Sequence, residues 1–346
     1  MKLSLSLLAG AIALSLSNTA HAQVVSLESF ASPGGVSQLI YAPAANELVI
    51  RNSGSAIKVL SLDTHAVVST QMANSLFTDM DATASGRYVY AADYGYENIG
   101  YGTPASQSYV HRLDLQTGTW AVQTTDRIAG RIEAVDDHRF ALQSLDQWVS
   151  MSVNAWGNGT AVDPIGNQLA WSVYSGNIAY DATHGRLLHG SSGISSPELH
   201  AFKLTGNTLT AQDSSGIYGA ANVPGAGSGA LLASDDSAVY YGRLQFDPLD
   251  MNFLQRTFAE TIIGANGAYA FGSNNYYDAH TGALVGSLGG TFTTFAFSTQ
   301  SSDFWGFNST TNSLVHFAPV PEPATCLLLA VGIGALGLLR RRTLAA

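Results

Sequence analysis

One compound unit recurs along this chain, and no other feature limits its fold so strongly. The clearest copy is DATASGRYVYAADYG (81–95) followed by YVHRLDLQTGTWAVQT (109–124). It reads as a turn, a strand over Tyr88 to Ala92, a loop rich in Gly and Tyr, a strand over Tyr109 to Leu115, a tight turn and a further strand. The Gln116-Thr117-Gly118 turn suits glycine, because tight turns often require positive φ. Weaker copies begin at residues 46, 138, 179, 233, 267 and 295, and the segment YDATHGRLLHG echoes MDATASGRYVY. Between Gln23 and Pro319 no convincing amphipathic helical period interrupts them.

Placing the first strand of each unit near residues 39, 77, 131, 177, 227, 261 and 292 gives steps averaging about 42 residues. That period falls within the range of roughly 40–50 residues for β-propeller blades. The expected fold is therefore all-β, a propeller of seven blades, with six or eight also compatible with the scatter of the steps. The last unit runs out after Ser313 to Phe317, one strand short, while VVSLESF (24–30) lies unused before the first complete unit. Pairing that segment beside the last blade would close the ring and cover both sheet edges.

Composition agrees with a turn-rich β protein: 35 glycines and 15 tyrosines accompany a 46% apolar fraction that argues against disorder. Only 12% of residues are charged, and 25 acidic against 15 basic residues leave a net −10. That balance argues against nucleic acid, whose phosphates demand a basic face.

The N-terminus carries the marks of export. Lys2 precedes an apolar run from Leu3 to Leu16, and Ala20-His21-Ala22 forms a small-x-small cleavage site. Residues 1–22 are expected to be a signal peptide taken by the Sec machinery and signal peptidase, leaving Gln23 as the mature N-terminus. The single cysteine, Cys326, lies in the C-terminal apolar run, so the body has no disulfide and no cysteine-based metal site.

Within the body, DATASGRYVYAADYG and the later LDLQTGT resemble the YVTN and lactonase-like propeller repeat. This resemblance implies the propeller fold for residues 23–317; propellers host many functions, so it says little about activity.

No HExxH, GxSxG, SxxK or P-loop pattern is present, so no catalytic residue is assigned. The histidines are dispersed and read as exposed turn and strand residues, and no cofactor or metal is implied. Gly-Ala-Gly-Ser-Gly (225–229) reads as a flexible loop. The pairs Asp79/Asp81, Asp136/Asp137 and Asp235/Asp236 are expected in comparable turns before a strand, bonding nearby amides, with calcium binding as the competing reading. Tyr94, Tyr96 and Tyr101 cluster in the long loop 93–108 and are the candidate ligand-binding residues, suited to stacking on sugar rings. Tyr276 and Tyr277 beside Asn274 and Asn275 are a lesser candidate; packing between blades is the competing reading for all of these tyrosines.

After Phe317 the composition changes sharply. The three prolines in 318–324 are expected to stop a strand from continuing and a helix from starting early, making that segment a linker or turn, and Ala324 to Leu339 is an uncharged apolar run ending at Arg340, Arg341 and Arg342. The run is somewhat short for a bilayer span of about 20 residues, and its basic end belongs in the cytoplasm. Val320, Pro321, Glu322 and Pro323, the span and the arginine cluster closely resemble the PEP-CTERM sorting signal in residues, order and position. The resemblance implies a recognition motif at 320–323, a transmembrane helix at 324–339 and a retention cluster at 340–342, in residues 318–346. It also implies a partner: an exosortase, a membrane cysteine protease or transpeptidase of Gram-negative bacteria that make exopolysaccharide. The expected protein is a non-enzymatic surface or matrix propeller linked to extracellular polysaccharide or biofilm, passing through an inner-membrane intermediate. Two alternatives stand beside it: an exported lactonase- or lyase-like propeller with a central-channel site, and a periplasmic binding or sensing scaffold held by an uncleaved anchor.

Overall fold

The computed structural model describes residues 23–95, 107–127, 129–145, 148–174, 176–192, 198–214, 230–298 and 302–320. Ser26–Phe317 is one compact unit; of a second unit, made of the two chain ends, residues 23–25 and 318–320 are described.

The described strands form seven antiparallel sheets of four strands, each built from strands consecutive in sequence except the last. The first strands of the seven sheets are Gln38–Ala42, Phe77–Ala82, Arg131–Ala134, Gly176–Asp181, Ala230–Leu232, Gly264–Ala265 and Phe292–Phe297. They begin at or within three residues of the positions expected from the repeat. The seventh sheet takes its fourth strand from the other end of the chain: Gln23–Ala31 pairs beside Ser313–Val320. The Ser32 amide bonds to the Asn312 carbonyl at 3.0 Å. The closure expected for VVSLESF is present, and the body is a seven-bladed propeller.

Blade-to-blade packing explains the sequence pattern. The second strands Tyr88–Asp93, Arg186–Ser191 and Phe304–Asn308 are buried at every residue, because both faces are covered by neighbouring blades. Outer strands such as Val67–Met72 and Asp250–Thr257 are mostly exposed or half-buried. Each core cluster spans two adjacent blades: Val49, Val59, Met80 and Val89 join blades 1 and 2. Leu39, Leu48, Trp305 and Leu314 join blade 7 to blade 1, which closes the ring. Blades 6 and 7 meet through phenylalanine rings, with Phe271 and Phe304 centroids 4.6 Å apart.

Local chemistry shapes the hairpins. Asp114 accepts from the amides of Gln116 and Thr117, and Asp278 does the same for His280 and Thr281. Each turn then needs a left-handed residue, supplied by Gly118 (φ 67°) and Gly282 (φ 74°). The segment after blade 3's third strand lies along blade 2's outer strand, where Thr124 and Val162 amides bond to the Thr160 and Thr124 carbonyls at 2.9 Å. That contact covers an edge that would otherwise be open to pairing.

Candidate functional site

The inner strands line the axis of the ring, and each presents a row of backbone amides with no further strand beside it. On blades 1 to 4 the polar side chains of one inner strand reach the amides of the next. Gln38 Oε1 accepts the Met80 amide at 3.1 Å while its Nε2 donates to the Met80 carbonyl at 2.6 Å. Asp79 Oδ2 accepts the Ile132 amide at 3.2 Å, and Asp81 Oδ2 accepts that of Ala134 at 2.8 Å. Glu133 Oε2 accepts the Tyr180 amide at 3.1 Å, carrying the pattern into blade 4. Two arginines complete the set: Arg51 Nη1 donates to the Phe77 carbonyl at 3.2 Å and Arg131 Nη1 to the Thr78 carbonyl at 3.0 Å.

This placement follows from strand geometry. Side chains two residues apart share a side of a strand, so Asp79 with Asp81, and Arg131 with Glu133, each point the same way. The sequence reading put Asp79 and Asp81 in a turn comparable to Asp136/Asp137 and Asp235/Asp236. The structure corrects this: the first pair lies within a strand, while the other two pairs occupy turns. Asp136 there caps the His138 and Arg139 amides, and Asp235 caps Ser237. Asp137 and Asp236 instead reach the preceding blade's turn, bonding Ser85 and Thr183.

Burial raises the proton affinity of the channel carboxyls. Desolvation pushes Asp79 up, and the charges of Arg131 and Arg51 oppose it. Desolvation likewise pushes Asp81 up to about 7, against hydrogen bonds from the Ala134 and Ala82 amides. Glu133 rises well above its usual range through desolvation, then repulsion from Asp81 and Asp79. Asp81 and Glu133, on adjacent inner strands, influence each other's protonation, and both shift upward. Among the described residues, no group of three His, Cys, Asp or Glu is arranged to hold a metal ion.

A second network sits inside blade 2. Asp93 and His111 are fully buried, with His111 Nε2 3.0 Å from the Asp93 carboxylate. The same carboxylate accepts the amides of Asn74 (2.6 Å), Ser75 (3.0 Å) and Leu76 (2.8 Å), tying down the connection from blade 1. Desolvation alone would raise Asp93, but these bonds, that from His111 foremost, hold it below the usual carboxylate range. His111 and His189 are buried, contrary to the expectation of exposed histidines; His138 and His280 are exposed as expected.

Of the candidate binding residues, Tyr94 is half-buried where blade 2's second strand ends, with its amide bonded to the Leu76 carbonyl at 2.8 Å. Tyr96 and Tyr101 lie outside the described residues, as do Gly225 to Gly229. Tyr276 and Tyr277 are buried in a strand, Tyr277 donating to Glu260 at 3.0 Å. Tyr277 packs in the cluster between blades 5 and 6, while Tyr276 packs against Tyr269 and Phe271 within blade 6. The last strand continues through Ala318 and Pro319 to the exposed Val320, where the sequence reading expected a linker or turn; the proline is tolerated because it lies past Phe317, the last residue paired with Phe304–Asn308. Pro321, Glu322, Pro323, the apolar run and Arg340 to Arg342 lie outside the described residues, as does the leader at 1–22. No helix among the described residues is long and apolar enough to cross a membrane.

Residues 319–342 match the PEP-CTERM protein-sorting motif. The motif implies export, a membrane-anchored sorting intermediate and processing by an exosortase. The fold is similar to solved propellers: the β-propeller domain of Myceliophteria thermophila Cps50 (Swd1) aligns with a TM-score of 0.59 at 14% identity, over 85% of this chain and 99% of that one. Solved chains matching in this way number 1092, so the likeness establishes the fold and leaves activity open. No curated protein matches the sequence.

Proposed function

We propose that this chain is a non-enzymatic propeller displayed at the cell surface or in the extracellular matrix of a Gram-negative bacterium, where it binds or organises exopolysaccharide. The observation that carries the reading is the sorting motif placed directly on the last strand of a complete, closed body. Ser313–Val320 leads into the motif with no intervening segment, so the motif serves delivery of that body.

The channel supports a structural assignment for its polar groups. Asp81 accepts from Ala82 and Ala134, and Glu133 accepts from Tyr180. A carboxyl committed to backbone amides is poorly placed to exchange protons with a substrate. Polysaccharide contact is assigned instead to the loop after blade 2's second strand, which contains Tyr94, Tyr96 and Tyr101.

The test is retention of isolated exopolysaccharide by the mature protein. Replacing the three tyrosines by alanine is expected to weaken retention at least tenfold, while substitutions in the channel leave it unchanged. Equal retention by the triple variant would remove the loop as the site. No retention by the unaltered protein would remove the polysaccharide role itself.

A further inference from the structure

We propose that Asn158 is a site of spontaneous covalent modification, where the Gly159 amide nitrogen closes on the Asn158 side chain and so loosens the loop that seals the outer edge of blade 2. Only two asparagines in the sequence precede a glycine, Asn158 and Asn266. Glycine favours the reaction because ring closure brings its amide nitrogen against the asparagine side-chain carbon, and a Cβ there would obstruct the approach. The two pairs differ in their surroundings. Asn158, Gly159 and Thr160 are exposed, and a methyl built on Gly159 would meet nothing within 4 Å. Among the described residues, neither the Asn158 side chain nor the Gly159 amide takes part in a hydrogen bond. Asn266 is committed instead: its Oδ1 accepts the Ala268 amide at 3.0 Å and the Tyr269 amide at 2.7 Å, and the Asp235 carboxylate lies against Gly267.

The step needs neither an enzyme nor a redox partner. The Gly159 nitrogen gives up its proton and bonds to Asn158 Cγ. The carboxamide C–N bond breaks, the proton goes to the departing amine, and ammonia leaves a cyclic imide behind. Water then adds to either imide carbonyl. Opening on one side leaves aspartate; opening on the other routes the main chain through the former side chain and leaves isoaspartate.

The place of Asn158 in the fold gives the change a consequence. Gln123, buried on blade 2's outer strand, holds the loop at two points: its Nε2 donates to the Gly157 and Gly159 carbonyls, each at 2.7 Å, and its Oε1 accepts the Gly157 amide at 3.1 Å. Asn158 lies between those two carbonyls. An isoaspartate adds one backbone carbon, about 1.5 Å of chain, to a span that a single nitrogen bridges. Just beyond, the Thr124 amide bonds the Thr160 carbonyl and the Val162 amide bonds the Thr124 carbonyl, each at 2.9 Å. Releasing the Gln123 hold therefore weakens the cover over a strand edge that is otherwise open to pairing.

Incubation of the folded mature protein at pH 8, followed by peptide mapping that separates aspartate from isoaspartate, tests the site. Asn158 should convert about tenfold faster than Asn266 or more, because reacting groups held out of line react far more slowly. In urea the two sites should convert alike; a difference that persists there would overturn the role given to the fold. Gly159 has no positive φ and open space around it, so Gly159→Ala should keep the Tm unchanged while slowing conversion at Asn158 about tenfold. In the isoaspartate form, the Thr124 and Val162 amides should exchange faster than in the unconverted protein. Conversion at Asn158 no faster than at Asn266 in the folded chain, or unaffected by Gly159→Ala, would overturn the proposal. Unchanged protection of the two amides after conversion would overturn the loosening of the edge.

Discussion

Replacing Asp93 by alanine should cost more than any other single side-chain truncation in blade 2. The carboxylate is fully buried and accepts four hydrogen bonds: three from consecutive amides at 2.6 to 3.0 Å and one from His111 at 3.0 Å. Truncation leaves three amides and an imidazole nitrogen without their partner, each worth about 1–3 kcal/mol if it stays unpaired. Water entering the vacated space recovers part of this, so the expected loss is about 3–5 kcal/mol, as for other buried pairs broken on one side. At this chain length, roughly 2 °C per kcal/mol converts the loss to a fall in Tm of about 6–10 °C. Urea unfolding of the mature protein followed by tryptophan fluorescence gives the loss directly. A double-mutant cycle with His111→Ala separates the imidazole's share from that of the amides. Because Asp93 is held below the usual carboxylate range, its contribution is full above about pH 4 and is lost as pH falls through its folded pKa. The aspartate variants should therefore lose part of the acid limb of the stability profile. A loss below 1 kcal/mol, with an unchanged acid limb, would refute the reasoning.

Deleting residues 23–31 should expose the edge of the closing blade, giving concentration-dependent association by light scattering and a lower Tm; a monomer of unaltered Tm would contradict the role given to that strand. Gly176→Ala should destabilise by about 2 kcal/mol or more in chemical denaturation, because a methyl there would meet the Gly190 carbonyl oxygen. Arg112→Ala should cost about 1–2 kcal/mol by the same assay, since the guanidinium lies 4.4 Å from the ring centroids of both Tyr88 and Trp156.

Fold and address were legible because both are written in local signals. A strand that alternates, followed by Asp-x-x-Thr-Gly, fixes a hairpin from backbone preferences alone, and repeating it at blade spacing fixes a ring. The unpaired VVSLESF segment marked the closure through a missing strand, which is a matter of counting. The channel was harder to read. Asp79 and Asp81 resemble turn residues when taken singly, and their placement depends on a strand extending one turn later than the apolar residues suggest. The i, i+2 spacing shared by Asp79/Asp81 and Arg131/Glu133 was the available signal, since it sets each pair on one side of a first strand. Asp93 and His111 gave less warning. They come from different strands, and the three amides that bind Asp93 belong to the connection from the preceding blade. Only the folded register brings them together.

Intact mass of the native protein, combined with membrane fractionation, tests the central claim most directly. Export and processing at the sorting motif predict a chain that begins at Gln23, ends near Pro323 and fractionates away from the inner membrane. A chain that retains Arg342 and stays in the inner membrane would contradict it.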